Sequence, residues 1–144
     1  MPRLKILTMV DVEEVSHALA AETMAWSEPI PHFDTRYPGT LESCLRTPFQ
    51  TFSKQMLYKG LLPKAAVLFY LMIKNHPFQN GNKRIAVTTL FVFLYKNGKW
   101  LSVDNQQLYN FAKWIAASES TVKDATVEAI KKFLQVHLVE LKKF

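Results

Sequence analysis

Residues 63–98 read PKAAVLFYLMIKNHPFQNGNKRIAVTTLFVFLYKNG, and the fold is decided here. Pro63 suits the first turn of a helix, because its missing N–H is one that such a turn leaves unbonded anyway. A helix is predicted over Lys64 to Asn75. Apolar side chains occupy all of its faces between Ala65 and Ile73, which places it at the centre of the molecule. Lys83 to Asn97 reads as a second central helix, with Ile85, Leu90, Phe91, Phe93 and Leu94 facing inward and Gly98 as its stop. Between them lies a densely polar loop, Asn75-His-Pro-Phe-Gln-Asn-Gly-Asn-Lys-Arg84.

Working outward, Leu4 and Ile6 suggest a short edge strand. Asp11 with Glu14 suggests a capping box that opens a helix to about Met24, with Val12, Val15 and Leu19 as its apolar stripe. Residues 26–39 carry three prolines and a glycine, so they are expected to be turns or extended backbone. Thr40 then caps a short helix bearing Leu41, Cys44 and Leu45, which stops before Pro48. A further short helix is expected from Ser53 to Lys59, ended by Gly60. Trp100 to Val103 reads as an extended link. Asp104 and Gln107 cap a helix bearing Leu108, Phe111, Trp114 and Ile115, and Ser120 opens the last helix, with Val122, Ile130, Phe133 and Leu134 as its stripe. No alternating strands joined by turn signals are found, so the expected fold class is all-α, one domain over residues 1–144.

Composition narrows the function. The 144 residues are 49% hydrophobic and 21% charged, the balance of an ordinary globular domain. Cys44 is the sole cysteine, which excludes an internal disulfide and a cysteine-rich metal site. With no signal-peptide pattern and no apolar run long enough to span a bilayer, a cytoplasmic protein without membrane contact is expected. The net charge of +6 is spread along the chain rather than gathered with aromatics, so direct nucleic-acid binding is not favoured. That charge equally suits ATP, an acidic protein substrate or an acidic inhibitor.

The loop offers a specific chemistry. Gly81 permits positive φ and close approach of a ligand to the backbone. Asn82 is placed to cap the following helix, whose first N–H groups and dipole favour an anion. Lys83 and Arg84 put two cations at the positive end of that dipole, a conflict that a bound polyphosphate would remove. His76 is a residue type able to take a proton from a hydroxyl near neutral pH. A plainer reading is that Asn75, Pro77 and Asn80-Gly81 simply end one helix and turn the chain. Spacing alone leaves both readings open.

The order of residues adds to this. His76-Pro-Phe-Gln-Asn-Gly-Asn-Lys-Arg84 resembles the signature loop of the Fic/Doc family, H-P-F-x-[D/E]-[G/A]-N-[G/K]-R, and the flanking stretches 38–45, 65–75 and 85–98 look like that family's core. The resemblance implies a helical bundle with a short irregular or β-hairpin flap before the central helices. It implies His76 as the general base toward a hydroxyl of a target protein, and Pro77 and Phe78 as structural residues, with Phe78 anchoring the loop. Gly81, Asn82, Lys83 and Arg84 would bind the phosphates of ATP, with Lys83 and Arg84 also acting in catalysis. By position, the segment His32, Phe33, Asp34, Thr35, Arg36 and Tyr37 would be the flap that docks the target.

AMP-transferring members of the family usually have glycine after the motif asparagine and a second arginine three positions beyond the first. Lys83 and Val87 stand there, as in the Doc branch. The resemblance therefore implies transfer of the γ-phosphate of ATP to a Ser or Thr hydroxyl, with elongation factor Tu as the family's target. The alternative is AMP transfer. Asn80 departs from the pattern, because the family places Asp or Glu there to hold Mg²⁺, and a neutral amide oxygen is a poorer ligand for a hard dication. This opens a further alternative, a weak or inactive binding or regulatory protein. The inhibitory pattern [S/T]-x-x-x-E-[G/N] is not found, so restraint by a separate antitoxin is expected.

Overall fold

The structure, a computed structural model, describes residues 4–23 and 29–141. Helix α4 (Leu61–Lys74) runs through the centre with every residue from Lys64 to Ile73 buried, as its all-round apolar pattern requires. It packs against α5 (Asn82–Lys96) and α7 (Lys123–His137), while α6 (Asn105–Ala117) contacts both α4 and α5. The inward residues expected of α5 are buried except Phe91, which is half-buried against Trp100 at 4.6 Å between ring centroids. Asp104 caps α6 by accepting from the Gln107 N–H at 3.3 Å. Trp114 is half exposed on that helix, stacked on Phe111. Among the described residues, no helix is long and apolar enough to cross a membrane.

The N-terminal helix departs from its sequence reading. The capping box is Thr8 with Asp11, three residues earlier than expected: Asp11 N–H donates to Thr8 Oγ1 at 3.1 Å and Thr8 N–H to Asp11 Oδ2 at 2.9 Å. Helix α1 (Met9–Asp11) continues into a π-helical segment, Val12–His17, and then α2 (Ala18–Thr23). The wider π turn changes which residues face inward. Val12, Ser16 and Ala20 are buried at 0% exposure, while Val15 and Leu19, expected inward, are about two-fifths exposed (41% and 39%). The end expected near Met24 and the start of the proline-rich stretch at 26–28 lie outside the described residues. Leu4 to Ile6 do not form a strand. The Asn97 side chain instead grips the Lys5 backbone, accepting from its N–H at 2.7 Å and donating to its carbonyl at 3.1 Å.

Helix α3 (Pro38–Arg46) begins two residues before Thr40, because Pro38 itself starts the turn after Tyr37. Leu41, Cys44 and Leu45 are buried as expected. Burial pushes the Cys44 thiol up to about 12, so it stays protonated and inert. The helix expected at Ser53–Lys59 is a hairpin, β1 (Thr51–Phe52) with β2 (Gln55–Met56). Ser53 and Lys54 form its two-residue turn, with φ of 52° and 65°, the geometry that matches strand twist. The usual Asn-Gly signal is missing there, since Ser53-Lys54 occupies the turn. Lys64 is buried at the foot of this region. It donates to the Tyr58 carbonyl and lies 5.4 Å over the Phe49 ring, and desolvation lowers its pKa.

The extended link after Gly98 is β3 (Lys99–Leu101), paired antiparallel with β4 (Leu138–Glu140) beyond α7. At the start of α7, a 3₁₀ turn over Ser120–Val122 leaves Val122 half exposed, outside the stripe expected for it. Ile130 and Leu134 are fully buried. Among the described residues the fold is all-α with one small hairpin, β1–β2, and one two-stranded antiparallel sheet, β3–β4.

Candidate active site

Helix α4 ends at Asn75, and His76 follows with φ of +50°, a left-handed conformation that a non-glycine residue adopts at a cost. Pro77 is buried, and its carbonyl accepts from the Tyr37 N–H at 2.8 Å. Phe78 is buried in the core at 1% exposure. Gly81 has φ of +72° and stands at the N-cap of α5, where no side chain caps the helix.

Asn82 does not cap α5. It occupies the first turn, and its amide folds back to hold the loop: Oδ1 accepts from Phe78 N–H at 3.0 Å, and Nδ2 donates to Phe78 O at 2.9 Å. The same Nδ2 lies 3.4 Å from His76 Nδ1. An amide nitrogen only donates, so Nδ1 is the acceptor in that contact and the ring's own proton sits on Nε2. At 3.4 Å the contact is weak, so the ring can exchange tautomer at little cost.

These residues border a hollow of about 230 Å³. His76, Gln79, Asn80, Gly81, Asn82 and Lys83 line it, with Ile73 and Ala116. Sites that enclose a drug-sized ligand run from about 300 Å³ upward. The hollow therefore suits a phosphate chain, with the rest of a nucleotide lying outside it. Ile73 and Gln79 sit beside or within the loop, whereas Ala116 comes from α6 and carries no signal in the sequence. Lys74, two residues before His76, is not in the lining. Its ammonium donates to the Ala116 and Ser118 carbonyls at the end of α6. A larger groove of about 590 Å³, between Val15, Leu19, Tyr95 and Trp100, holds no histidine.

One expected site residue and one expected segment need correction. Arg84 is not brought to the hollow. It is buried at 5% exposure, and its Nη2 donates to the Ala20 carbonyl at 2.6 Å. One residue after Lys83, the helical turn of about 100° per residue carries its side chain toward α2. The segment His32 to Tyr37 is not an extended edge. Phe33–Thr35 is a 3₁₀ turn, with Thr35 N–H and Arg36 N–H bonded to His32 O and Phe33 O. Phe33 is buried, and the Arg36 guanidinium lies 4.2 Å over its ring. His32, Asp34, Thr35 and Tyr37 are exposed, but the backbone N–H groups of Asp34 to Tyr37, which strand addition would use, already have partners in the turn, on the His32 ring and at Pro77 O.

Asn80 is exposed, and its Oδ1 accepts from Gly81 N–H at 2.8 Å, so the oxygen expected to meet a metal already has a partner. Among the described residues, no carboxylate lines the hollow. Among the described residues, no three His, Cys, Asp or Glu side chains gather closely enough to hold a metal ion. The described residues that line the hollow do not fit a protein-held Mg²⁺, which usually takes one or two carboxylates.

The segment at Pro29–Ile30 lies directly against the loop. A Cβ at Gly81 would stand 2.6 Å from Ile30 Cδ1 and 3.1 Å from the Pro29 carbonyl oxygen. Gly81→Ala is therefore expected to cost about 1–3 kcal/mol, from positive φ and from the displaced neighbour. Urea unfolding measures it, and a variant as stable as the parent would show that this segment does not cover the loop.

A helical bundle whose two central helices meet at this His-bearing, glycine-turned loop defines a class. The pattern of the Fic/DOC family matches residues 7–94, and the chain belongs to that family. The chain is also similar to Toxin Doc of Mycolicibacterium smegmatis (strain ATCC 700084 / mc(2)155), with 35% identity over 66 residues. That match covers 46% of this chain and 51% of the relative, so the chain spans about half the length of the relative it matches. No solved structure matches it significantly.

Proposed function

We propose that the chain is a Doc-like transferase that moves the γ-phosphate of ATP to a Ser or Thr hydroxyl of a target protein. The observation that carries this is the hollow itself, which sets the His76 ring, Lys83 and the uncapped start of α5 around one phosphate-sized space. In this reading His76 takes the hydroxyl proton as the oxygen attacks the γ-phosphorus. The bond from that phosphorus to the β–γ bridging oxygen breaks, and ADP leaves with the electron pair. Lys83 and the first N–H groups of α5 balance the charge that develops. Lys83 and Val87, at positions where AMP-transferring members carry glycine and arginine, favour γ-transfer. The family's target implies elongation factor Tu as substrate, and the likeness to a toxin implies restraint by an antitoxin, both in the cytoplasm.

Incubating the protein and elongation factor Tu with ATP labelled at the γ- or the α-phosphate tests this. Label from the γ-position on the target supports the proposal. Label from the α-position assigns AMP transfer instead, and neither label removes the enzyme reading.

A second reading has its own observation. With Asn80 Oδ1 held by Gly81 and no carboxylate among the described residues that line the hollow, the protein in this reading is a slow or inactive member that keeps the fold for binding. Asn80→Asp separates the two. It places a carboxylate in the lining, and is expected to raise Mg²⁺-dependent transfer at least about tenfold if turnover is attenuated by the missing charge. Unchanged transfer would show that position 80 does not limit the reaction.

A further inference from the structure

We propose that His17 is a positioning residue for the loop that carries His76, acting through the Pro31 carbonyl and the Phe78 ring. The residue lies at the end of the π-helical segment, 59 positions before His76, in a stretch to which the reading above assigns no role.

The π segment is what turns it inward. In an α-helix, Val12 and His17 would point about 140° apart, since five residues turn through roughly 500°. A π turn closes i to i+5 and brings them toward one face. Val12 is accordingly fully buried, and His17 is half-buried beside it.

Two features of the imidazole are then used together. Its Nε2–H donates to Pro31 O at 2.8 Å, which pins the middle of the 29–37 segment to the N-terminal helix. Its flat ring meets Phe33 edge-on at 5.4 Å and Phe78 at 5.8 Å, and those two phenyl rings are 6.0 Å apart. The pinned segment touches the loop at further points: Tyr37 N–H bonds Pro77 O, and Pro29 and Ile30 lie against Gly81. From Phe78 the contact passes through the Asn82 amide to His76 Nδ1. Histidine combines an edge donor with a planar apolar face. Phenylalanine keeps only the face, and glutamine only the donor.

The inference rests on the proposed function only for what the loop does, not for how it is held. Nitrogen-15 NMR of the wild type reads the ring directly: His17 protonated on Nε2 in the neutral form supports the proposal, and the Nδ1–H tautomer overturns it. His17→Phe and His17→Gln are then compared with Ile130→Val, a core variant remote from the loop. Measurement is made at a temperature where every protein is folded.

Both His17 variants are expected to shift the amide signals of residues 78–83 and the His76 ring signal while leaving α7 unchanged. Both should weaken ATP binding about tenfold, a modest share of what an ångström of misplacement can cost. Ile130→Val should move neither. Loop and His76 signals that stay in place in both His17 variants would overturn the proposal whatever their melting temperatures. Wild type that binds no ATP would remove the functional reading, and the spectra would still decide whether His17 positions the loop.

Discussion

His76→Gly should leave a protein at least as stable as the parent while reducing phosphoryl transfer by about 10²–10⁴, the usual contribution of a positioned general base. The two halves of this expectation have separate causes. The residue is exposed, and among the described residues its one hydrogen-bond contact is the weak one to Asn82 at 3.4 Å, so little packing is lost with it. The backbone at φ of +50° carries a strain of order 1 kcal/mol for an L side chain, which glycine relieves. Against this stands the greater entropy of glycine in the unfolded chain, about 0.5–1 kcal/mol, so the net change is expected between zero and a small gain. His76→Ala shares the loss of transfer without the relief of strain and should be the less stable of the two. Thermal unfolding reads the first half, and the γ-label assay on elongation factor Tu the second. Transfer retained within a few-fold in both variants would remove His76 as the base.

Strain at a residue with so little packing also indicates why the site could be read from the sequence in part only. The central helices were legible because α4 is apolar on every face and α5 nearly so, a pattern with no stable home except the core. The polar loop between them was legible by contrast, and Gly81 by its demand for positive φ. The π turn was not, since nothing in Val-Glu-Glu-Val-Ser-His marks a change from 3.6 residues per turn, and tertiary packing decides it. The hairpin at Thr51–Met56 was missed because Ser-Lys is an uncommon choice for two successive residues at positive φ. Arg84 was misplaced for a related reason. A motif read as a line of letters puts neighbours on one side, whereas the helix carries adjacent side chains about 100° apart, Lys83 to the hollow and Arg84 to Ala20 O. Asn82 looked like a cap from its position, but the N-cap is Gly81 and the amide turns back on Phe78.

That last geometry sets up the other large effect. Asn82→Ala should destabilise the protein by about 2–6 kcal/mol, because it leaves two buried backbone groups, the Phe78 N–H and C=O, without their partner at about 1–3 kcal/mol each. Asn82→Asp is closer in shape and should be no better at neutral pH. One carboxylate oxygen can still accept from the Phe78 N–H, but the other then faces the Phe78 carbonyl oxygen, where the amide had donated. An acceptor facing an acceptor favours the protonated acid, so the carboxyl's pKa in the folded state rises above its unfolded value of about 3.9. A group raised on folding contributes stability below its unfolded pKa and loses it as pH climbs through the folded one. Asn82→Asp should therefore unfold at lower urea than wild type at pH 7, and close much of that gap as the pH is lowered toward about 4. The gap between Asn82→Ala and wild type should hold steady over the same range. The aspartate also adds a negative charge to the lining of the hollow, so at pH 7 it should weaken ATP binding more than alanine does, although the two are similarly destabilised. Urea midpoints across pH, with ATP affinity at pH 7, check all three expectations. An aspartate variant as stable as wild type at pH 7 would mean that the amide does not bridge Phe78, and the loop would then have to be held by other contacts.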